Sequence, residues 1–191
     1  MEFTFNISKI NKDVKRVLAS PRKFFSSNIS KIDWKEAVSY FVVLSFVGLL
    51  LTLIYLQFMY PLLVQYLPGF GLEPIEDTTL ISLLPYALFS FVMGIAFSFF
   101  WGLAFWAWTR LFKLDGDFQK AYSTITYAKT PTYILSWVPF VNILAWVYSL
   151  YLLTVGVEQN YSTKKSKAAF LVISGVIVLF LLSSLTVTFF Q

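Results

Sequence analysis

Cysteine and histidine are both missing from the 191 residues. Their absence excludes disulfides, thiolate nucleophiles, haem or zinc held through sulfur or imidazole, and any serine–histidine mechanism. Charge is scarce too. Only 13% of the residues are charged, against the roughly 25% typical of a water-facing surface. In their place stand 58% hydrophobic and 20% aromatic residues, in unbroken runs long enough to cross a bilayer. The composition therefore predicts a multi-pass protein of the cell membrane. The net charge of +5 does not point to nucleic acid. The cations flank the apolar runs, where anionic lipid headgroups are the natural partner.

The apolar pattern predicts an all-α, polytopic integral membrane protein with five transmembrane helices, over about 37–60, 84–108, 121–138, 141–157 and 168–190. The first run lacks a small-residue cleavage pattern and reads as a signal anchor. Pro61 is expected to stop it. Leu80 to Trp108 is 29 residues, about 43 Å as a helix against a hydrocarbon core of about 30 Å. Its start, up to Pro85, is therefore expected in the interface. Ala121 to Val157 is 37 residues, too long for one helix, and contains Lys129, Pro131, Pro139 and Asn142. It is expected to form two short spans turned at "VPFVN", with Asn142 capping the second.

Charge gives this count an orientation. The segment through Glu36 holds eight Lys or Arg against four acids, and the first connection holds only Glu73, Glu76 and Asp77. Arg110, Lys113 and Lys120 follow in the second connection and Lys164, Lys165 and Lys167 in the fourth. Five spans put fourteen of the fifteen basic residues on one side, so the positive-inside rule predicts a cytoplasmic N-terminus. Residues 1–36 form a cytoplasmic arm in this reading, and 37–191 the membrane domain. Within the arm, Ile7, Ile10, Val14, Val17 and Leu18 recur at helical spacing among Lys9, Lys12, Lys15 and Arg16. That pattern predicts an amphipathic interfacial helix, serving as an anchor or as a docking surface for a cytoplasmic protein partner.

The fifteenth basic residue is Lys129, inside an apolar region. A charge at the centre of a span costs about 2.5 to 3.5 kcal/mol on insertion scales. Pro131 removes the amide that would bond the Tyr127 carbonyl. Lys129, Tyr127, Pro131, Thr126 and Asn142 make up a candidate polar hairpin site, with Asp115, Asp117 and Glu158 as candidate counter-charges. Two readings stay open: a structural tether to lipid phosphate or a loop acid, and a polar cavity that binds a headgroup, an anion or a peptide. Ser90, Gly94, Ser98 and Gly102, four apart, form a smooth stripe that another helix can approach closely. No catalytic residue, metal or cofactor is expected. The aspartates of "LDGD" read as a turn with a helix cap.

The stretches "GDFQKAYSTITYAKTP", "WVPFVNILAWVYSLYLLTVGV" and "YSTKKSKAA" resemble the Yip family, named for interaction with Ypt/Rab GTPases, in its archaeal and bacterial branch. Gly116, Phe118, Tyr127 with Ala128, Pro131, Pro139, Trp146, Gly156 and Ser166 to Ala168 carry the resemblance. It implies a five-span membrane protein with a cytoplasmic N-terminus. The Asp-Leu-Tyr-Gly-Pro stretch of eukaryotic members is missing, so a GTPase partner is not carried over. The expected function is a non-enzymatic scaffold or a membrane-organising protein of trafficking type. The alternative is a small transporter or lipid-moving protein using a polar crevice around Lys129 and Pro131. Expected partners are membrane lipids, anionic headgroups included, and an unidentified cytoplasmic protein, with no nucleic acid. No oligomeric state follows.

Overall fold

The structure, a computed structural model, describes residues 6–27, 32–66 and 79–189, the side chains of 80 and 182–189 excepted. All regular structure among the described residues is helical. Helix α1 (Ile7–Ala19) opens on Asn6, whose side chain accepts from the Lys9 amide at 3.0 Å, satisfying a donor the helix leaves over. Helix α2 (Pro21–Ser27) starts on proline, where the missing amide is not needed. Helix α3 (Trp34–Ile54) runs through a π-helical turn, Tyr55–Met59, into α4 (Tyr60–Tyr66). Helix α5 is Leu80–Leu111, α6 Phe118–Ala128, α7 Thr130–Leu135, α8 Val141–Asn160 and α9 Lys165–Phe189.

Five spans are not found. Three helical stretches among the described residues are long and apolar enough to cross a membrane: Trp34–Tyr66, Ile81–Leu111 and Val141–Asn160. The expected span at 121–138 is instead two short helices, α6 and α7, broken at Lys129. Helix α6 is rich in Ser, Thr and Tyr and faces protein, with Ala121 to Thr124 and Thr126 to Ala128 all buried. The expected fifth span, 168–190, falls largely within α9 (Lys165–Phe189), whose side chains beyond Leu181 lie outside the described residues. The cytoplasmic placement of the N-terminus rested on the count of five and falls with it. The acidic first connection, with Glu73, Glu76 and Asp77, lies outside the described residues, as do the side chains at the end of the expected fifth span.

Pro61 does not stop the first span. The π-helical turn just before it shifts the hydrogen-bond pattern, with the Tyr60 amide bonded to the Tyr55 carbonyl, so the helix passes the proline without a break. Pro85 lies within α5, which starts from the Thr79 cap and is helical throughout. The apolar face of α1 is not free to lie on lipid. Ile10 and Val17 join Phe24, Phe25, Tyr40, Tyr127 and Leu152 in one buried cluster. A second cluster, with Phe105, Ala121, Val157 and Leu171, fills the space between α5, α6, α8 and α9.

Helix α6 lies at the centre, packed against α3, α5 and α8. Half of the small-residue stripe on α5 receives it. A Cβ on Gly102 would stand 2.5 Å from Tyr122 Cδ2. Ser98 donates to the Ile95 carbonyl at 2.7 Å, so the Tyr122 hydroxyl, 3.1 Å away, donates to Ser98. The other half is open: Ser90 is exposed and nothing lies within 4 Å of a Cβ on Gly94. Gly102→Ala should therefore lower stability by about 1 to 3 kcal/mol through overpacking. Gly94→Ala should be neutral or stabilising by up to about 1 kcal/mol. Thermal unfolding in detergent micelles reads the difference, and equal effects would show that α6 does not seat on Gly102.

Candidate functional site at the Lys129 break

Pro131 frees a carbonyl, and the protein supplies the replacement donor. Thr130 Oγ1 donates to the Tyr127 carbonyl at 2.6 Å. With that proton engaged, the Tyr40 hydroxyl donates in turn to Thr130 Oγ1 at 2.8 Å. The two bonds tie α3 to the α6–α7 break in a place without water, where an unpaired carbonyl is costly. Ring packing reinforces the tie: the Tyr127 centroid is 4.1 Å from Tyr40 and 5.1 Å from Phe24. The Tyr127 hydroxyl is buried and has no hydrogen-bond partner among the described residues. Thr132 and Ser149 share a hydrogen bond of 2.8 Å that joins α7 to α8.

Lys129 ends α6 and turns the other way. Its Nζ is 5.6 Å from the centroid of the Trp101 ring, within cation–π range. The side chain lines two cavities. The larger, about 620 Å³, opens between α5, α6, α8 and α9 and includes Trp101, Trp108 and Trp146. The smaller, about 280 Å³, includes Gly94, Ser98, Thr126 and Tyr133. No carboxylate among the described residues stands within ion-pairing distance of Lys129.

The candidate counter-charges are engaged elsewhere. Asp115 pairs with Arg110 at 3.7 Å and Glu158 with Arg22 at 3.9 Å. Asp117 caps α6, accepting from the Lys120 amide at 2.8 Å. Asn142 is exposed in the first turn of α8 and makes no cap, since Phe140, at φ 63°, leads into the helix. Of the proposed hairpin residues, Lys129 and Thr126 share a cavity, Tyr127 and Pro131 lie buried behind them, and Asn142 stands apart. Tyr40 and Trp101 are the partners that sequence reasoning missed. Both sit inside apolar runs, with no local signal of their long-range contacts. No nucleophile is paired with a base here, and no group of three metal-ligating side chains occurs among the described residues.

On the other side of Tyr127, the arm closes over the bundle. Tyr148 donates to the Leu18 carbonyl at 2.8 Å, and Lys9 pairs with Glu36 at 2.6 Å. Asp13 is buried on the inner face of α1. Burial raises its pKa, Lys9 lowers it, Glu36 raises it, and Arg16 and Lys12 lower it. Burial prevails. The neutral form is favoured on folding, so this contribution is full below the ordinary carboxyl value of 3.8 and is lost as pH rises through the elevated one.

Two outcomes follow for thermal unfolding. Asp13→Asn should be more stable than the parent at pH 7 and converge with it near pH 4, with the arm's docking less dependent on pH. A parent that becomes more stable from pH 4 to 7 relative to the variant would contradict this. Thr130→Val should cost about 1 to 3 kcal/mol, because it strands the Tyr127 carbonyl, and Tyr40→Phe about 1 kcal/mol. A Thr130→Val protein as stable as the parent would exclude the relay.

No curated protein and no solved structure matches the chain. A family model, the Yip1 domain, matches residues 15–187. That range takes in α6, the Lys129 break, all three long apolar stretches and most of the arm. The chain belongs to the Yip1 domain family, as a non-enzymatic, multi-pass membrane protein.

Proposed function

We propose that the protein is a scaffold, a membrane-organising component of trafficking type that acts by contact and not by chemistry. The arm carries this reading. Val17, Phe24 and Phe25 hold α1 and α2 in the buried core, while Lys12, Lys15, Arg16 and Lys23 are exposed outside it. A basic surface fixed on a packed core is suited to hold an acidic partner in register. Ile10 and Val17 are taken up by the bundle, so most of the apolar face that would dip α1 into lipid is gone. A protein with an acidic surface is therefore the favoured partner over the leaflet. We place the chain in the archaeal and bacterial branch of the family, since it has no Asp-Leu-Tyr-Gly-Pro stretch, and infer no GTPase partner.

Deleting the arm would strip the core, so charge reversal is the better test. A photoreactive residue at Lys23 should give a discrete protein adduct in native membranes. Lys12→Glu, Lys15→Glu and Arg16→Glu together should reduce that adduct at least about tenfold while leaving the unfolding temperature nearly unchanged. Adduct formation indifferent to the three charges would sink the reading. So would lipid or solute movement by the purified protein in liposomes that Lys129→Ala suppresses, which would favour the lipid-moving alternative.

A further inference from the structure

Among the described residues, the larger cavity at Lys129 has one charged residue in its lining and otherwise almost nothing polar. Its walls are Ala104 and Phe105 of α5, Leu150 and Leu153 of α8, and Leu171, Val172 and Leu179 of α9, with the tryptophans between. The Trp108 indole N–H is already bonded to the Leu171 carbonyl at 3.0 Å. At about 620 Å³ the space falls in the range, about 300 to 1,000 Å³, that encloses a small ligand. Its chemistry asks for a molecule that is apolar along its length and acidic at one end.

The cation supports the same description. Lys129 is half-buried, and no carboxylate among the described residues stands within 4 Å of its ammonium. Ile125, Thr126, Trp101 and Ser98 are among the residues that share the smaller cavity with it. Trp101 lends its ring face, which offsets only part of the cost of holding a charge away from water. An inorganic anion would fit poorly, because no second cation among the described residues faces Lys129 and the apolar walls would stay uncovered.

We propose that this groove binds one acyl chain of an anionic glycerophospholipid, whose phosphate, not offset by a headgroup cation as in phosphatidylcholine, meets Lys129. The site is separate from the basic face of the arm and does not depend on its role. The chain lies along α5 and α9, and the ammonium selects the headgroup. Because Lys129 stands at a break held by Thr130 and Tyr40, the backbone that carries the amine is tied to α3.

Native mass spectrometry of the purified full chain tests this, with phosphatidylglycerol and phosphatidylcholine of identical chains supplied in equal amounts. Phosphatidylglycerol should be retained at one per chain with a preference of about tenfold or more, the scale of one charge-assisted bond. Lys129→Gln should bring its retention down to that of phosphatidylcholine, and Lys129→Arg should keep the preference. Ala104→Phe, which fills the groove and leaves the amine, should lower retention of both lipids. Should Lys129→Gln fail to fold, the Arg and Phe variants still decide the matter. Equal retention of the two lipids by the parent protein would overturn the proposal, as would a preference that survives Lys129→Gln. Displacement of the lipid by inorganic phosphate at matched concentration would also overturn it, in favour of a site for free anions.

Discussion

Away from water, every backbone carbonyl needs a donor from within the protein, and the arrangement around Pro131 follows from that constraint. The proline takes an amide from the helix, and Thr130 makes good the loss with its hydroxyl. Tyr40 completes the hydroxyl's own requirements. One missing hydrogen bond thus recruits a residue ninety positions away in sequence and fixes α3 against the break. With Tyr127 held on that side by Tyr40 and Phe24, Lys129 faces the opposite side, toward Trp101 and the groove.

Helix α6 turns the usual expectation for a membrane bundle inside out. The hydroxyls of Tyr122 and Thr124 meet partners on neighbouring helices, while those of Ser123 and Tyr127 are buried without a partner among the described residues. Thr124 donates to the Lys120 carbonyl at 2.6 Å and accepts from the Asn160 side chain at 2.7 Å. Gln119 reaches the Ile32 carbonyl at 3.0 Å. In lipid there is little apolar driving force between helices, so such bonds, with close packing at Gly102, supply the cohesion. The long apolar helices α3 and α5 act as walls around a polar centre.

The sequence made the class of molecule readable, since long apolar runs and few charges leave room only for helices in a membrane, and the order of motifs from Gly116 to Ala168 was enough to suggest the family. The number of crossings was not readable. A hydropathy pattern records that 121–138 is apolar on average but not that Ser123, Thr124 and Thr126 are enclosed by protein. Pro61 misled for a related reason: the cost of a proline depends on whether a π-helical turn precedes it, and no residue type announces one. Asp115, Asp117 and Glu158 were sensible partners for Lys129 by proximity in the chain. Arg110, the α6 amides and Arg22 were nearer in space. Tyr40 and Trp101 sit in apolar runs, where one more aromatic ring carries no local mark.

The enclosure of α6 bears on how the protein is made. A segment of eleven residues carrying five buried hydroxyl side chains beside a lysine partitions poorly into lipid when it emerges alone from the ribosome. The chain order brings α3 and α5 out first, so two of its three neighbours are ready when it arrives, and α8 follows to close the third side. Insertion of this helix is therefore an act of assembly, in which earlier parts of the nascent chain take the place of solvent.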